Sequence, residues 1–210
     1  MLINHASQGP LNAKYVTRIQ DTLRKALSEY PRTLVLRIDL RLPDNNLTHE
    51  YALDSTLITR FIVSLKAQID ADLLRKKNNG KRTFPCRVRY VWAREFGESG
   101  KKHYHLALFL NKDAYAYPGN YTPTEKGYPH NLGVMIMEAW VRALNLHDED
   151  DYQKYYPLVH FPKPSYAHLN KTSTNFNNDS AEVINRVCYL AKEYSKDSSD
   201  KQRNFGCSQY

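Results

Sequence analysis

Apolar and polar residues alternate in two neighbouring segments, Phe84-Pro-Cys-Arg-Val-Arg-Tyr-Val-Trp-Ala-Arg-Glu-Phe96 and Lys101-Lys-His-Tyr-His-Leu-Ala-Leu-Phe-Leu110. A period of two is typical of β-strands. The connection Gly97-Glu-Ser-Gly100 is rich in turn residues, which predicts an antiparallel hairpin. If Glu98, Ser99 and Gly100 form a three-residue loop with Gly100 in the left-handed conformation, Glu95 faces His103 across the two strands.

The segments on either side of this hairpin predict a mixture of helices and strands. Apolar residues at helical spacing predict helices over 14–29, 55–77, 132–146 and 177–196. Alternation predicts strands over 33–42 and 155–161, with an edge strand in the tail 203–210 and a loop over 115–130. The resulting order predicts an α+β fold: a central antiparallel sheet with helices on one face and the other face open.

The composition excludes the membrane-spanning and disordered classes of protein. Hydrophobic residues make up 41% and charged residues 25% of the 210 residues, and no apolar run is long enough to span a membrane. We expect a single domain over 1–210, with an N-terminal helical segment over 1–32 and a catalytic core over 33–210. The N-terminus lacks a secretion signal, which predicts a cytoplasmic protein. The three dispersed cysteines predict reduced thiols.

The charge balance favours a polyanionic partner. Thirty Lys and Arg residues against 22 Asp and Glu residues give a net charge of +8, and each phosphate contact releases counterions. The polar face of the predicted sheet and its hairpin carries the basic residues that we expect to contact DNA: Arg37, Arg41, Arg87, Arg89, Lys101 and Lys102. Tyr115, Tyr117 and Tyr121 in the predicted loop form either a stacking surface for DNA or an ordered lid.

The hairpin carries a candidate metal site. His103 and His105 are two residues apart on a strand, so both imidazoles project from the same face. With Glu95 opposite His103, two imidazoles and a carboxylate form an open site that leaves room for substrate oxygens. Without Glu95, a plain surface strand would be the better interpretation of the two histidines. Glu98 and Asp39 are the alternative third ligands if the register differs, and the other histidines, including His160, are expected to have surface or packing roles.

The last predicted helix carries a candidate nucleophile. Tyr189 and Lys192 are three residues apart, which places the phenol and the ammonium group on the same face of a helix. There Lys192 can favour the phenolate and later pair with a phosphate. Tyr194 is the alternative nucleophile, but its spacing from Tyr189 places it on a different face. Without the His-x-His motif, a tyrosine packed beside a solvated lysine would be the better interpretation of this pair.

These motifs, in this order, resemble those of the HUH endonucleases, which initiate rolling-circle replication. The resemblance rests on the strand over 33–42, Glu95, His103-Tyr-His105 and Tyr189-Leu-Ala-Lys192. A closer resemblance is to the inovirus-type replication proteins grouped with the YagK/YfjJ prophage proteins. It rests on the segment Tyr15 to Pro43, Trp92-Ala-Arg-Glu95, His103 to Asn111, and Tyr189-Leu-Ala-Lys192 ahead of Arg203-Asn-Phe-Gly-Cys-Ser208. The resemblance spans nearly the whole chain. It implies an RRM-like sheet with the metal site on its open face and the tyrosine helix above it.

The resemblance also implies a mechanism. Mg²⁺ or Mn²⁺ held by His103, His105 and Glu95 assists attack of Tyr189 on a phosphate of a single-stranded or hairpin origin. The products are a 5′-phosphotyrosine and a free 3′-OH, from which strands are later rejoined. The implied partners are origin DNA and the replication helicase or polymerase of the bacterial host, in whose cytoplasm the protein would act. A single well-placed tyrosine leaves the termination step to a second protomer or another nucleophile.

Two other functions are compatible with the same residues. A prophage DNA-binding protein that has lost catalysis needs neither metal nor tyrosine. A zinc-dependent hydrolase needs the His-x-His motif but no tyrosine, and imidazole ligands suit zinc. The substitution Tyr189→Phe distinguishes the three hypotheses, because it abolishes covalent capture of DNA only in the initiator.

Overall fold

The segment 33–42 and the two segments of the hairpin correspond to the three longest strands of a six-stranded antiparallel sheet in the computed structural model. The structure describes residues 9–44, 48–97, 100–193, 196 and 199–209. The strand order is β4-β1-β3-β2-β6, and β5 also pairs with β1. The strands are β1 (Arg32–Arg41), β2 (Arg89–Phe96), β3 (Lys102–Asn111), β4 (Val159–His160), β5 (Tyr166–Asn170) and β6 (Phe205–Cys207).

The hairpin between β2 and β3 has the predicted register. Glu95 pairs with His103, and the backbone N–H of Gly97 donates to the carbonyl of Lys101 at 3.1 Å. Gly100 has φ of +70°, the left-handed conformation that the three-residue loop requires. Glu98 and Ser99 lie outside the described residues, so the structure does not test Glu98 as a ligand.

The predicted helices are all present, with differences at the end of the last helix and in other elements. They are α1 (Ala13–Glu29), α2 (Thr48–Leu53), α3 (Leu57–Asn78), α4 (Leu132–Ala143) and α5 (Phe176–Cys188), with 3-10 helices at Tyr152–Leu158 and Tyr189–Ala191. The sequence pattern did not predict α2 or β5, and most of the strand predicted over 155–161 is the first 3-10 helix. The last helix ends at Cys188 instead of continuing to residue 196. None of the described helices is long and apolar enough to cross a membrane.

Helices pack on both faces of the sheet, which corrects the expectation of a fully open face. On one face, side chains such as Leu36 and Leu106 pack in the same core as α3 and α4. On the other face, Val35, Ala107 and Phe109 pack against α1 and α5. The alternation places these apolar residues on the same face as the basic residues and histidines, but further along the strands. Helices cover the apolar part of that face, and the polar part holds the candidate site.

Candidate metal and nucleophile site

Two neighbouring strands bring Glu95, His103 and His105 together. One ligand atom from each residue lies within 4.8 Å of the others. The Nε2 atoms of His103 and His105 are 3.1 Å apart, and His105 Nε2 is 3.5 Å from Glu95 Oε2. These residues fit a divalent ion, because two imidazole nitrogens and a carboxylate oxygen can occupy one side of its coordination sphere and leave the other side open.

Asp39 and His160 form a second layer behind the ligands. Asp39 Oδ1 is 2.5 Å from His105 Nδ1, and Asp39 Oδ2 is 3.1 Å from His160 Nδ1. A carboxylate that accepts from Nδ1 leaves the Nε2 lone pair directed at the ligand cluster. Asp39 therefore orients His105, and the described ligand cluster does not include it. His160 is exposed and lies outside the described ligand cluster. It still contacts the site, because β4 pairs with β1 and places His160 opposite Asp39.

The pKa values of Asp39 and of the two histidine ligands follow from their contacts. Burial raises the pKa of Asp39, but its hydrogen bonds with His105 and His160 and the charge of Arg37 outweigh burial and lower the pKa to about 2. Burial lowers the pKa of His105, and the hydrogen bonds with Asp39 and Glu95 reverse this effect and raise it overall. The pKa of His103 is lowered by burial and by the neighbouring His105. The low pKa favours the neutral imidazole of His103, which is the form that binds metals.

Lys196 is a contact of the ligand cluster that the sequence motifs did not indicate. Its Nζ lies 3.4 Å from Glu95 Oε1, and the side chain is only 6% exposed. Burial lowers the pKa of Lys196, while the charge of Glu95 opposes that effect. Because residue 196 follows the end of α5 in sequence, no helical or strand periodicity connects it to Glu95. The ammonium group and a metal ion would share the same carboxylate.

The candidate nucleophile, Tyr189, lies next to the ligands. Its ring centroid is 5.7 Å from that of His105, and the two rings are nearly perpendicular. Two cations also contact the ring: Lys192 Nζ is 3.3 Å from the centroid, and Arg37 Cζ is 4.8 Å from it. Cations over an aromatic face are attracted to its electron density, so these two side chains restrict the position of the ring.

The predicted helical relation between Tyr189 and Lys192 is wrong, although the two side chains do meet. Tyr189 begins a 3-10 helix that ends at Ala191. Lys192 is extended, with ψ of 142°, and forms a β-bridge with Leu11. Its side chain reaches the ring because the chain turns sharply here. Tyr194, the alternative nucleophile, lies outside the described residues.

The six basic residues predicted to contact DNA occupy different environments. Arg37 lies in the site, 3.7 Å from Asp39, and Arg41 is exposed opposite His103. Lys101 is 48% exposed and pairs with Asp44 at 2.9 Å. Arg87 is 56% exposed but lies 3.5 Å from Glu29. It precedes β2, at the opposite end of that strand from Glu95.

The structure corrects the assignments of Arg89 and Lys102, both of which are buried. Arg89 forms an ion pair with Glu29 at 2.7 Å, beneath the end of α1. Lys102 follows the strand alternation, so it points to the face opposite His103, where its Nζ donates to the carbonyl of Asp54 at 2.9 Å. Neither side chain is available to a nucleic acid on the surface.

Comparison with known proteins identifies the family. The model of the YagK/YfjJ C-terminal domain matches residues 2–208. The uncharacterized protein YagK of Escherichia coli (strain K12) is 38% identical over 201 residues, covering 93% of this chain and 92% of YagK. The uncharacterized protein YfjJ of the same strain is 32% identical, covering 92% and 93% respectively. No solved structure was found to match the chain. The protein therefore belongs to the family defined by the YagK/YfjJ C-terminal domain.

Proposed function

We propose that this protein is a metal-dependent enzyme that nicks and rejoins single-stranded DNA, an HUH-type initiator of rolling-circle replication. One observation carries the proposal: the ring of Tyr189 lies 5.7 Å from His105, which is part of the Glu95, His103 and His105 cluster. A nucleophile next to a metal cluster is the arrangement that tyrosine transesterification requires. The cations around the ring and the net charge of +8 suit a polyanionic substrate.

In this proposal, His103, His105 and Glu95 hold Mg²⁺ or Mn²⁺. When bound, the ion neutralises charge on the nonbridging oxygens of the scissile phosphate. Asp39 keeps His105 in the tautomer that presents Nε2 to the ion. Arg37 and Lys192 hold the Tyr189 ring and provide positive charge where the phenolate forms.

The reaction conserves the phosphodiester bond. The phenolic oxygen of Tyr189 attacks phosphorus, and the bond from phosphorus to the 3′-oxygen breaks. The phenol loses its proton to solvent, and the departing 3′-oxygen takes one up. The products are a 5′-phosphotyrosine and a free 3′-OH, and attack by a 3′-OH on the phosphotyrosine reverses the step. No external energy source is needed, because one phosphate ester replaces another.

The remaining parts of the proposal concern the setting of this reaction. We propose that the antiparallel α+β sheet is an RRM-like HUH nuclease fold, and that the substrate is a single-stranded or hairpin origin. A 3′-OH produced by nicking is a primer, so a replication helicase and a polymerase of the host are the proposed partners. The bacterial cytoplasm is the proposed location.

The test is covalent capture. The wild-type protein is incubated with Mn²⁺ and a set of labelled single-stranded oligonucleotides, and the products are separated on a denaturing gel. We expect a labelled protein band that disappears with Tyr189→Phe and with EDTA. Lys192→Gln is expected to slow band formation without abolishing it, because Lys192 contacts the ring but does not form the bond. Mass spectrometry that places the adduct on another residue would refute the assignment of Tyr189.

The second candidate function is zinc-dependent hydrolysis. The hydrogen bond between Asp39 and His105 favours it, because a carboxylate that orients a histidine ligand is common at zinc sites. A hydrolase retains its activity in Tyr189→Phe and forms no covalent band. A protein that has lost catalysis binds DNA equally well in wild type and Tyr189→Phe and releases no product. The initiator, the hydrolase and the inactive DNA-binding protein therefore differ in the products and covalent band expected from wild type and from Tyr189→Phe.

A further inference from the structure

A groove of about 580 Å³ lies next to the candidate site, where β4 pairs with the edge of β1. Its volume is in the range of small-ligand sites. Its aromatic residues pack with the core of α3 and α4. Two other lining residues connect the groove to the candidate site around the edge of the sheet: Arg41 is paired with His103 in the register of β1 and β3, and His160 bonds to Asp39. The aromatic residues that line it are Tyr121, Tyr128, Tyr156 and Phe161.

The aromatic walls of the groove are held in place. Tyr121 stacks on Phe161 with ring centroids 4.1 Å apart, and Tyr128 meets Tyr156 edge-on at 4.7 Å. Tyr121 also packs closely on Gly133, where an added Cβ would lie 3.0 Å from the Tyr121 Cβ. The absence of a side chain at Gly133 thus lets Tyr121 approach the start of α4. A flat ligand would meet rings that are already ordered, which reduces the entropy cost of binding.

The charge around the groove is positive. Arg41 and Lys163 are exposed cations, and His160 contributes an imidazole. No Asp or Glu lines the groove in the part of the chain that the structure describes. Aromatic faces combined with basic groups bind single-stranded nucleic acid, because the bases stack and the backbone phosphates pair with the cations. A lipid chain or an apolar peptide would not use the cations.

We propose that this groove binds nucleobases of the single strand next to the scissile phosphate. The inference rests on the proposed function, since it takes the DNA at the metal cluster as its starting point. From there the strand passes Arg41 and His160, and its bases stack on Tyr121 and Tyr128. The groove thereby fixes which phosphate lies at Tyr189. The tyrosines of the loop over 115–130 thus divide into two groups, since Tyr121 lines this groove while Tyr115 and Tyr117 line another.

The experiment separates bases from phosphates. Fluorescence anisotropy measures binding of two labelled strands of about twelve nucleotides, one oligodeoxythymidine and one in which every site is abasic. All proteins carry Tyr189→Phe, so that covalent capture does not distort the equilibrium. Tyr121→Leu removes one stacking face. Tyr117→Leu is the matched control, because Tyr117 is 61% exposed and outside this groove. Circular dichroism checks folding, and Tyr128→Leu replaces Tyr121→Leu if the latter is unfolded.

We expect Tyr121→Leu to weaken binding of oligodeoxythymidine about tenfold, equivalent to about 1.4 kcal/mol, and to leave the abasic strand unaffected. Tyr117→Leu should change neither affinity. Equal affinities of the parent protein for the two strands would overturn the inference, as would an equal loss for both strands in Tyr121→Leu. If binding depends on the bases but the wild-type protein forms no covalent adduct, the proposed function is refuted and the groove proposal is not. If the wild-type protein forms the adduct but binding does not depend on the bases, the groove proposal is refuted and the proposed function is not.

Discussion

Asp39 lies outside the ligand cluster but controls the orientation of one of its residues, His105. The carboxylate contacts His105 on one side and His160 on the other, and Arg37 lies 3.7 Å away. Three strands contribute to this set, because β1 lies between β3 and β4. The orientation of His105 therefore depends on β1, which carries Asp39 between β3 and β4.

The first prediction concerns Asp39→Asn. The amide keeps the shape of the side chain but loses the charge that makes His105 a good ligand. We expect affinity for Mn²⁺ to fall about 10- to 100-fold, measured by calorimetry, with the fold retained. Asp44→Asn is the control, because Asp44 is exposed and pairs only with Lys101 in the described structure. Unchanged Mn²⁺ affinity in Asp39→Asn would show that Asp39 does not orient the ligand.

A second buried carboxylate, Asp72, has a structural role. It binds Tyr115 Oη at 2.7 Å, His130 Nε2 at 2.9 Å and Lys76 Nζ at 2.7 Å. Burial raises the pKa of Asp72, but these contacts outweigh it and lower the pKa to about 2. Asp72 thus connects α3 to the loop that precedes α4.

The second prediction follows from the sign of this pKa shift. A carboxyl group with a lower pKa in the folded state stabilises the protein above its unfolded pKa of about 3.9. That stability is lost as the pH falls through the folded pKa. We expect Asp72→Asn to lower the free energy of unfolding by about 2 kcal/mol at pH near 6, and the difference to disappear near the folded pKa of about 2. Denaturant titrations measure it, with exposed Asp70→Asn as the control.

At the scale of elements, the β2–β3 hairpin sets the geometry of the ligand cluster. Its register pairs Glu95 with His103, and a shift by one residue would send Glu95 to the other face. The loop keeps this register because Gly100 adopts a positive φ. The ligand cluster therefore depends on a residue that takes no part in it.

The third prediction concerns that glycine. Gly100→Ala places a Cβ at φ of +70°, where we expect a loss of about 1–2 kcal/mol of stability. Gly97→Ala is the matched control in the same turn, because its added Cβ meets only ordinary contacts at 3.9 Å. Thermal unfolding of the two variants provides the measurement. Equal effects at the two positions would contradict a special role of the backbone conformation at Gly100.

The turn that follows α5 is held by the N-terminal segment. The backbone N–H of Asn12 donates to the carbonyl of Ala191 at 2.8 Å, and Leu11 forms a bridge with Lys192. The Asn12 side chain also caps α1 by accepting from the N–H of Tyr15. The first helix and the segment after Tyr189 are thus joined, although they are far apart in sequence.

At the scale of the whole molecule, the basic residues form unequal groups. Arg37 and Arg41 lie at the polar end of the sheet face, near the ligands. Arg87 lies near Glu29, before the start of β2 at Arg89. The rise of β2 from Arg89 to Glu95 alone is roughly 20 Å. The net charge of +8 therefore does not act evenly on a substrate, because only the residues near the site reach its phosphates.

The fourth prediction compares a basic residue near the ligands with one far from them. Binding of single-stranded DNA should weaken linearly with the logarithm of salt concentration, and Arg41→Gln should reduce that slope by about 0.7, the value of one phosphate contact on a single strand. Arg87→Gln is expected to leave the slope unchanged, since Glu29 lies beside it at the other end of the sheet. Fluorescence anisotropy over a salt series measures both. The same change of slope in the two variants would show that DNA covers the whole face.

The local pattern of the sequence determined the main elements and the ligand cluster. A period of two places His103 and His105 on one face, and a glycine in the turn sets the register that adds Glu95. These relations involve neighbouring residues, so spacing alone specifies them. The family resemblance to the YagK/YfjJ proteins was equally readable from the sequence, and the family model confirms it.

Only the tertiary structure decided what surrounds these residues. His160 and Lys196 join the site through contacts between segments distant in sequence, which no periodicity encodes. Arg89 and Lys102 looked like exposed basic residues but are buried, because α1 covers one of them and strand alternation turns the other inward. Burial depends on which elements pack together, and that depends on the whole chain.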